Sequence, residues 1–188
     1  MNPAYLPNII TVFRLLLVGP IVVGLLMEDY KLAFFLFLIA GLTDAVDGYL
    51  ARRFQWISRW GAMVDPLADK LLMVSSYLTL TYLSILPVWL LALVLTRDVV
   101  IVTGGMCYHF LIGQYDFKPS LISKANTFFQ IVLVIVVLSH YSYGVFNHLW
   151  INILIYLVLF TTASSMIHYI WVWGWRAFSR KGDSRERH

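Results

Sequence analysis

The sequence predicts an all-α membrane protein of six transmembrane helices with both termini on the cytoplasmic side. Three observations carry this expectation. Of 188 residues, 60% are hydrophobic and only 13% charged, where soluble domains run near about a quarter charged. Apolar stretches recur along the whole chain at about the 20-residue length that a helix needs to cross a hydrocarbon core of about 30 Å. Lys and Arg gather in alternate loops, the pattern of chains that retain positive charge on the cytoplasmic side.

The spans are expected near residues 9–26, 32–50, 62–83, 88–110, 121–138 and 149–169. The first is preceded by few residues and no basic stretch, so a cleaved signal peptide is not expected. Arg52, Arg53 and Arg59 lie between spans two and three, and Lys118 and Lys124 between four and five. Arg176, Arg180, Lys181, Arg185 and Arg187 follow span six. The opposite loops, around Glu28 to Tyr30, Ser84 to Pro87 and Ser139 to His148, offer almost no basic residue. Residues 1–175 then form one membrane domain, and residues 176–188 a basic tail expected to be frayed beyond Trp173. The Trp residues near span ends, such as Trp89, Trp150 and Trp171, suit the headgroup level.

The net charge of +4 reflects this topology and suits anionic lipid headgroups; nucleic acid is not implied. Cys107 is the only cysteine, which excludes an intrachain disulfide and a thiolate metal site.

Spans two and three carry Asp44, Asp47, Asp65 and Asp69, in helices where an ionised side chain costs at least about 2.5 kcal/mol. Asp44, Asp47, Gly48, Ala51 and Arg52 share one helical face, and Gly61, Asp65 and Asp69 share another. At about 1.5 Å per residue, Asp44 lies roughly 12 Å inside Arg52 and Asp69 roughly 12 Å inside Gly61. In an antiparallel hairpin the two aspartates therefore share a level, with Asp47 and Asp65 shallower. A single intramembrane aspartate paired with an arginine is explained by packing alone. Four on two matched faces repel one another unless cations answer them. An all-oxygen site selects hard ions, Mg²⁺ or Mn²⁺ before Zn²⁺, and four carboxylates can hold two of them.

In order, Asp44-x-x-Asp47-Gly48-x-x-Ala51-Arg52, eight residues, Gly61, three residues, Asp65, three residues and Asp69 resembles the motif of the CDP-alcohol phosphatidyltransferase family. Eight fixed positions over 26 residues make the motif specific. The resemblance implies a six-span homodimer that joins a CDP-activated lipid to an alcohol. It implies Asp44, Asp47 and Asp65 as metal ligands, and Asp69 as both a candidate ligand and the general base. Gly48 and Arg52 would border the CDP moiety, with Gly61 leaving space for it. Asn8, Thr11 and Arg14 match the family's N-terminal pattern and are assigned to substrate contact.

For the acceptor alcohol, Leu86-Pro87, Arg97-Asp98-Val99, the run from Lys118 to Thr127, and Thr161-Thr162-Ala163-Ser164 resemble the CMP-forming cardiolipin synthase branch, found in mitochondria and some bacteria. That branch implies CDP-diacylglycerol as donor, phosphatidylglycerol as acceptor and, for a bacterial member, the cytoplasmic membrane with the active site facing inward. Arg97, inside span four, is expected to line a polar cavity or to pair with a cluster aspartate. Lys118, Ser123, Lys124 and Asn126 are candidate headgroup contacts, and a positive-inside loop with Ser123 as helix N-cap explains them equally well. Enzymes that use glycerol 3-phosphate instead typically place cations where this chain has Gly105 and Asn126. That phosphatidylglycerophosphate synthase reading is the first alternative. A metal or proton transporter is the second, since intramembrane carboxylates also mark ion pathways, but it leaves Gly48, Ala51, Arg52 and Gly61 unexplained.

Overall fold

A computed structural model describes residues 6–54, 59–112 and 121–183, with the side chains of residues 11–46, 67–104, 121–169 and 171. Six α-helices follow one another: α1 (Leu6–Leu26), α2 (Tyr30–Phe54), α3 (Arg59–Tyr82), α4 (Val88–Ile112), α5 (Leu121–Tyr143) and α6 (His148–Asp183). No strand occurs among the described residues.

The turns between helices show how the chain stops each one. At the end of α1 the Asp29 amide donates to the Gly24 carbonyl at 2.8 Å and the Glu28 amide to the Leu25 carbonyl at 3.0 Å. This is a Schellman closure, with Glu28 at φ 59° in the left-handed region. Asp29 then caps α2, its Oδ1 accepting the Leu32 amide at 3.1 Å. The same closure recurs after α3, where Ile85 donates to the Leu80 carbonyl and Ser84 to the Thr81 carbonyl, again with positive φ at Ser84. After α5 the left-handed residue is Gly144, whose amide reaches the His140 carbonyl at 2.8 Å.

The largest departures from the expected ends are those of α5 and α6. Helix α5 continues five residues past the expected end at 138, through Ser139 and His140 to Tyr143, because polar residues at a helix end need no apolar partner. Helix α6 continues to Asp183, which corrects the frayed tail expected beyond Trp173. No proline intervenes, and Arg176, Ala177, Arg180 and Lys181 are all good helix formers.

By Cα proximity the chain divides into two compact units, Met1–Pro87 with Ile131–Ile151, and Val88–Gln130 with Asn152–His188. In the first, α1 packs against both α2 and α3. Its core includes Ile21, Leu25, Ala33, Phe37, Leu80, Leu133 and Val137. Tyr30 stacks near Tyr141 at 5.0 Å between ring centroids, about 20 Å along α2 from Asp44 at 1.5 Å per residue. In the second unit, Leu90, Val94, Ile155 and Val158 are buried.

Large apolar side chains lie exposed on all six helices, among them Leu16, Phe35, Leu78, Val102, Phe128 and Phe160. The buried set includes Arg14, Ser76, Arg97, Asn126, Gln130, Thr162 and Ser165. This distribution is the reverse of a soluble domain, which rarely exposes large apolar patches. Judged by length and apolarity alone, two helices, Leu121–Tyr143 and His148–Tyr169, are able to cross a membrane among the described residues. The apolar stretch Thr11–Leu26 is shorter.

Candidate active site

In the first unit the site is assembled by α1 lying against α2 and α3. Arg14 is completely buried, and its Nη2 stands 2.6 Å from Asp44 Oδ1. Its Nη1 donates to Asp69 Oδ1. One planar guanidinium thus forks across carboxylates from two helices, a geometry that arginine provides and lysine does not. Because a single side chain reaches both, Asp44 and Asp69 stand at one level and close together. Their side chains are 40% and 50% exposed, so the carboxylates open outward while the cation is sealed behind them. Thr11, three residues before Arg14 on the same side of α1, is also buried.

The sequence assigned Arg14 to substrate contact; the structure gives it the two aspartates as partners. Pairing with an arginine therefore accounts for part of the cluster's charge. The three side chains still carry one net negative charge, and three when Asp47 and Asp65 are counted as ionised. Hard carboxylate oxygens from two helices, drawn together by one guanidinium, fit Mg²⁺ or Mn²⁺. Asp47, Gly48 and Arg52 fall within α2, Gly61 and Asp65 within α3, and Asn8 within α1. The side chains of these six lie outside the described residues, as does the whole of Lys118.

The second unit holds a polar layer of its own. Arg97 on α4 is 4% exposed. Its Nη1 donates to Asp98 Oδ1 at 2.8 Å, and its Nη2 donates to Ser165 Oγ on α6 at 3.2 Å and to Ser123 Oγ on α5. One turn along α5, Asn126 is fully buried, and its Oδ1 accepts from Thr162 at 2.7 Å and lies 2.9 Å from Thr161 Oγ1. Hydrogen bonds to charged groups contribute about 1.5–3 kcal/mol each, so Arg97 ties three helices together from a buried position. Its carboxylate partner is its own neighbour Asp98.

Ser123 is the third residue of α5, not its N-cap, and its hydroxyl serves Arg97. Lys124, one residue on, is exposed and stands outside this network among the described residues. Asp98, Thr161, Thr162 and Ser165 were not assigned as site residues from the sequence. A signal was present: Thr161, Thr162 and Ser165 recur at helical spacing in an apolar span, the pattern of a polar stripe turned inward.

The family model for CDP-alcohol phosphatidyltransferases matches residues 4–172. The chain is 32% identical to a Rattus norvegicus protein named cardiolipin synthase (CMP-forming), across 89% of this chain and 61% of that protein. It is 39% identical to a Schizosaccharomyces pombe cardiolipin synthase (CMP-forming) / mitochondrial hydrolase fusion protein, across 69% of this chain and 24% of that one. It is 34% identical to the CDP-diacylglycerol–glycerol-3-phosphate 3-phosphatidyltransferase of Aquifex aeolicus, across 79% of this chain and 80% of that protein. The chain therefore spans less than two thirds of the length of the rat cardiolipin synthase. The family match takes in the helices that frame Asp44 and Asp69 and nearly all of α4 to α6 down to residue 172, and on that ground this chain belongs to the CDP-alcohol phosphatidyltransferase family.

Proposed function

We propose that this chain is a CMP-forming cardiolipin synthase, transferring a phosphatidyl group from CDP-diacylglycerol to phosphatidylglycerol. The observation that carries the chemistry is the meeting of Asp44 and Asp69 at one buried guanidinium. A site for phosphoryl transfer needs carboxylates close enough together to carry divalent cations to the pyrophosphate, with one of them within reach of the nucleophile's proton. In the reaction, the acceptor's hydroxyl oxygen forms a bond to the phosphorus that bears diacylglycerol, the bond from that phosphorus to CMP breaks, and the hydroxyl proton passes to Asp69. Arg14 holds Asp69 and Asp44 side by side, which fixes the base relative to the donor. Mg²⁺ or Mn²⁺, as two ions at Asp44, Asp47, Asp65 and Asp69, would supply charge neutralisation on the pyrophosphate when bound. Gly48, Arg52 and Gly61 border the CDP moiety, with Asn8 and Thr11 nearby.

For the acceptor, the reading rests on Gly105 and Asn126 and on the names of the rat and fission yeast relatives. A phosphomonoester acceptor is a dianion that calls for concentrated positive charge, whereas phosphatidylglycerol presents one negative charge and enters from the bilayer. Arg97, Lys118, Ser123, Lys124 and Asn126 are the residues proposed for its headgroup. The Aquifex aeolicus relative, whose length this chain covers more fully, supports the second reading, a phosphatidylglycerophosphate synthase. Membership of a transferase family argues against the transporter. Purified protein given CDP-diacylglycerol and each acceptor separately decides between them. Cardiolipin and CMP from phosphatidylglycerol are the expected products, and phosphatidylglycerophosphate as the dominant product reverses the assignment.

The same proposal includes six spans, both termini and the active site on the cytoplasmic side, a homodimer, and residence in a bacterial cytoplasmic membrane. Exposed apolar side chains on all six helices and the alternation of basic loops support the topology. Cysteine labelling of loop positions from either side of the membrane tests it.

A further inference from the structure

Within the unit formed by Val88–Gln130 and Asn152–His188, the buried donors Asn126 Nδ2 and Arg97 Nε have no hydrogen-bond acceptor among the described residues. Asn126 is fully buried, so its unmet N–H group is costly unless something supplies an oxygen. The other end of the amide is taken. Thr162 donates to Oδ1 at 2.7 Å, and Thr161 Oγ1 lies 2.9 Å from the same oxygen. A hydroxyl has one proton, and Thr161 also stands 2.8 Å from the Leu157 carbonyl, so Thr162 is the firmer donor. Together they hold the amide oxygen toward α6 and leave the nitrogen as the end with a hydrogen bond still to give.

We propose that Thr161 and Thr162 are positioning residues that lock the Asn126 amide so that its Nδ2 becomes a neutral donor to the phosphodiester oxygen of the acceptor phospholipid. The proposal rests on the reading of this chain as a transferase to phosphatidylglycerol and assigns the Thr161-Thr162 pair a part in acceptor choice. A neutral donor suits a monoanionic diester, since it meets an oxygen without adding charge. It does little for a phosphomonoester dianion.

Test variants of the full chain are Thr162→Val, the double Thr161→Val/Thr162→Val, Thr162→Ser and Asn126→Asp, each assayed in detergent–lipid micelles. Both acceptors and CDP-diacylglycerol are varied in turn. Freeing the amide to rotate should raise KM for phosphatidylglycerol about tenfold, the worth of one oriented hydrogen bond. KM for CDP-diacylglycerol should stay within about twofold, since the donor's site is not predicted to depend on this amide. Thr162→Ser keeps the hydroxyl and should restore the parent value. Asn126→Asp keeps the accepting oxygen but replaces the donor with a negative charge, and it should raise the phosphatidylglycerol KM further than either valine variant. The melting temperature of each variant separates a loss of fold from a loss of orientation. Valine variants with an unchanged phosphatidylglycerol KM overturn the proposal, as does an equal rise in KM for both substrates. Wild-type protein that makes phosphatidylglycerophosphate and no cardiolipin removes the functional reading and this inference with it. Wild-type protein that makes cardiolipin while the valine variants bind phosphatidylglycerol normally removes only the positioning role.

Discussion

Replacing Arg14 by Met removes a guanidinium that joins Asp44 to Asp69 while keeping its unbranched apolar stem. Breaking a fully buried ion pair by deleting one partner costs about 3–5 kcal/mol. Here the deleted partner is fully buried, but the carboxylates left behind are 40% and 50% exposed, so solvent screens part of the loss. Discounting by about half leaves about 2 kcal/mol for the pair of contacts. If the same geometry holds Asp69 for proton transfer, turnover should fall roughly thirtyfold, the factor that about 2 kcal/mol represents. Arg14→Lys keeps the charge but loses the fork, since a single ammonium cannot hold both carboxylates in one plane; it should recover only part of the rate. The assay is CMP release by purified protein, with thermal unfolding in detergent alongside. A double-mutant cycle supplies the sharper measurement. Arg14→Met and Asp44→Asn should be less than additive in stability by about 1 kcal/mol, because either change alone already breaks their contact. Strict additivity, or normal turnover in Arg14→Met, refutes the idea that the bridge organises the site.

Three further outcomes are expected. Chelation of divalent ions should abolish turnover and added Mg²⁺ or Mn²⁺ should restore it, and full activity in excess chelator would falsify the metal reading. Asp69→Asn should bind CDP-diacylglycerol nearly normally yet turn over about a hundredfold or more slowly, as the loss of a general base does; near-normal turnover removes Asp69 from that role. With both acceptors at equal concentration, the enzyme should make cardiolipin in preference to phosphatidylglycerophosphate by roughly a hundredfold, the worth of two missing charge-assisted hydrogen bonds at Gly105 and Asn126.

Helix positions were legible because the signal for them is local. Apolar runs set where α1 to α6 lie, and the Schellman closures at Glu28 and Ser84 fall where the runs break. The extension of α6 is not visible in polarity alone, which suggests a frayed tail, although a polar helix end is stable wherever good helix formers continue without a proline. In the candidate site, the shared level of Asp44 and Asp69 followed from counting residues along two helices. What lay between them did not, since Arg14 comes from a third helix 30 residues earlier in the chain than Asp44.

The sequence by itself determined the helical class, the apolar spans and the aspartate motif, for these depend on composition and on spacings within one helix or one hairpin. Only the tertiary structure decided which cation sits on Asp44 and Asp69, and that Arg97 takes Ser123 and Ser165. It alone decided that Asn126 is oriented by Thr161 and Thr162. The physical reason is the same in each case. A buried polar group must find a partner, but in a helical bundle that partner stands on another helix, at a sequence distance that no local pattern encodes.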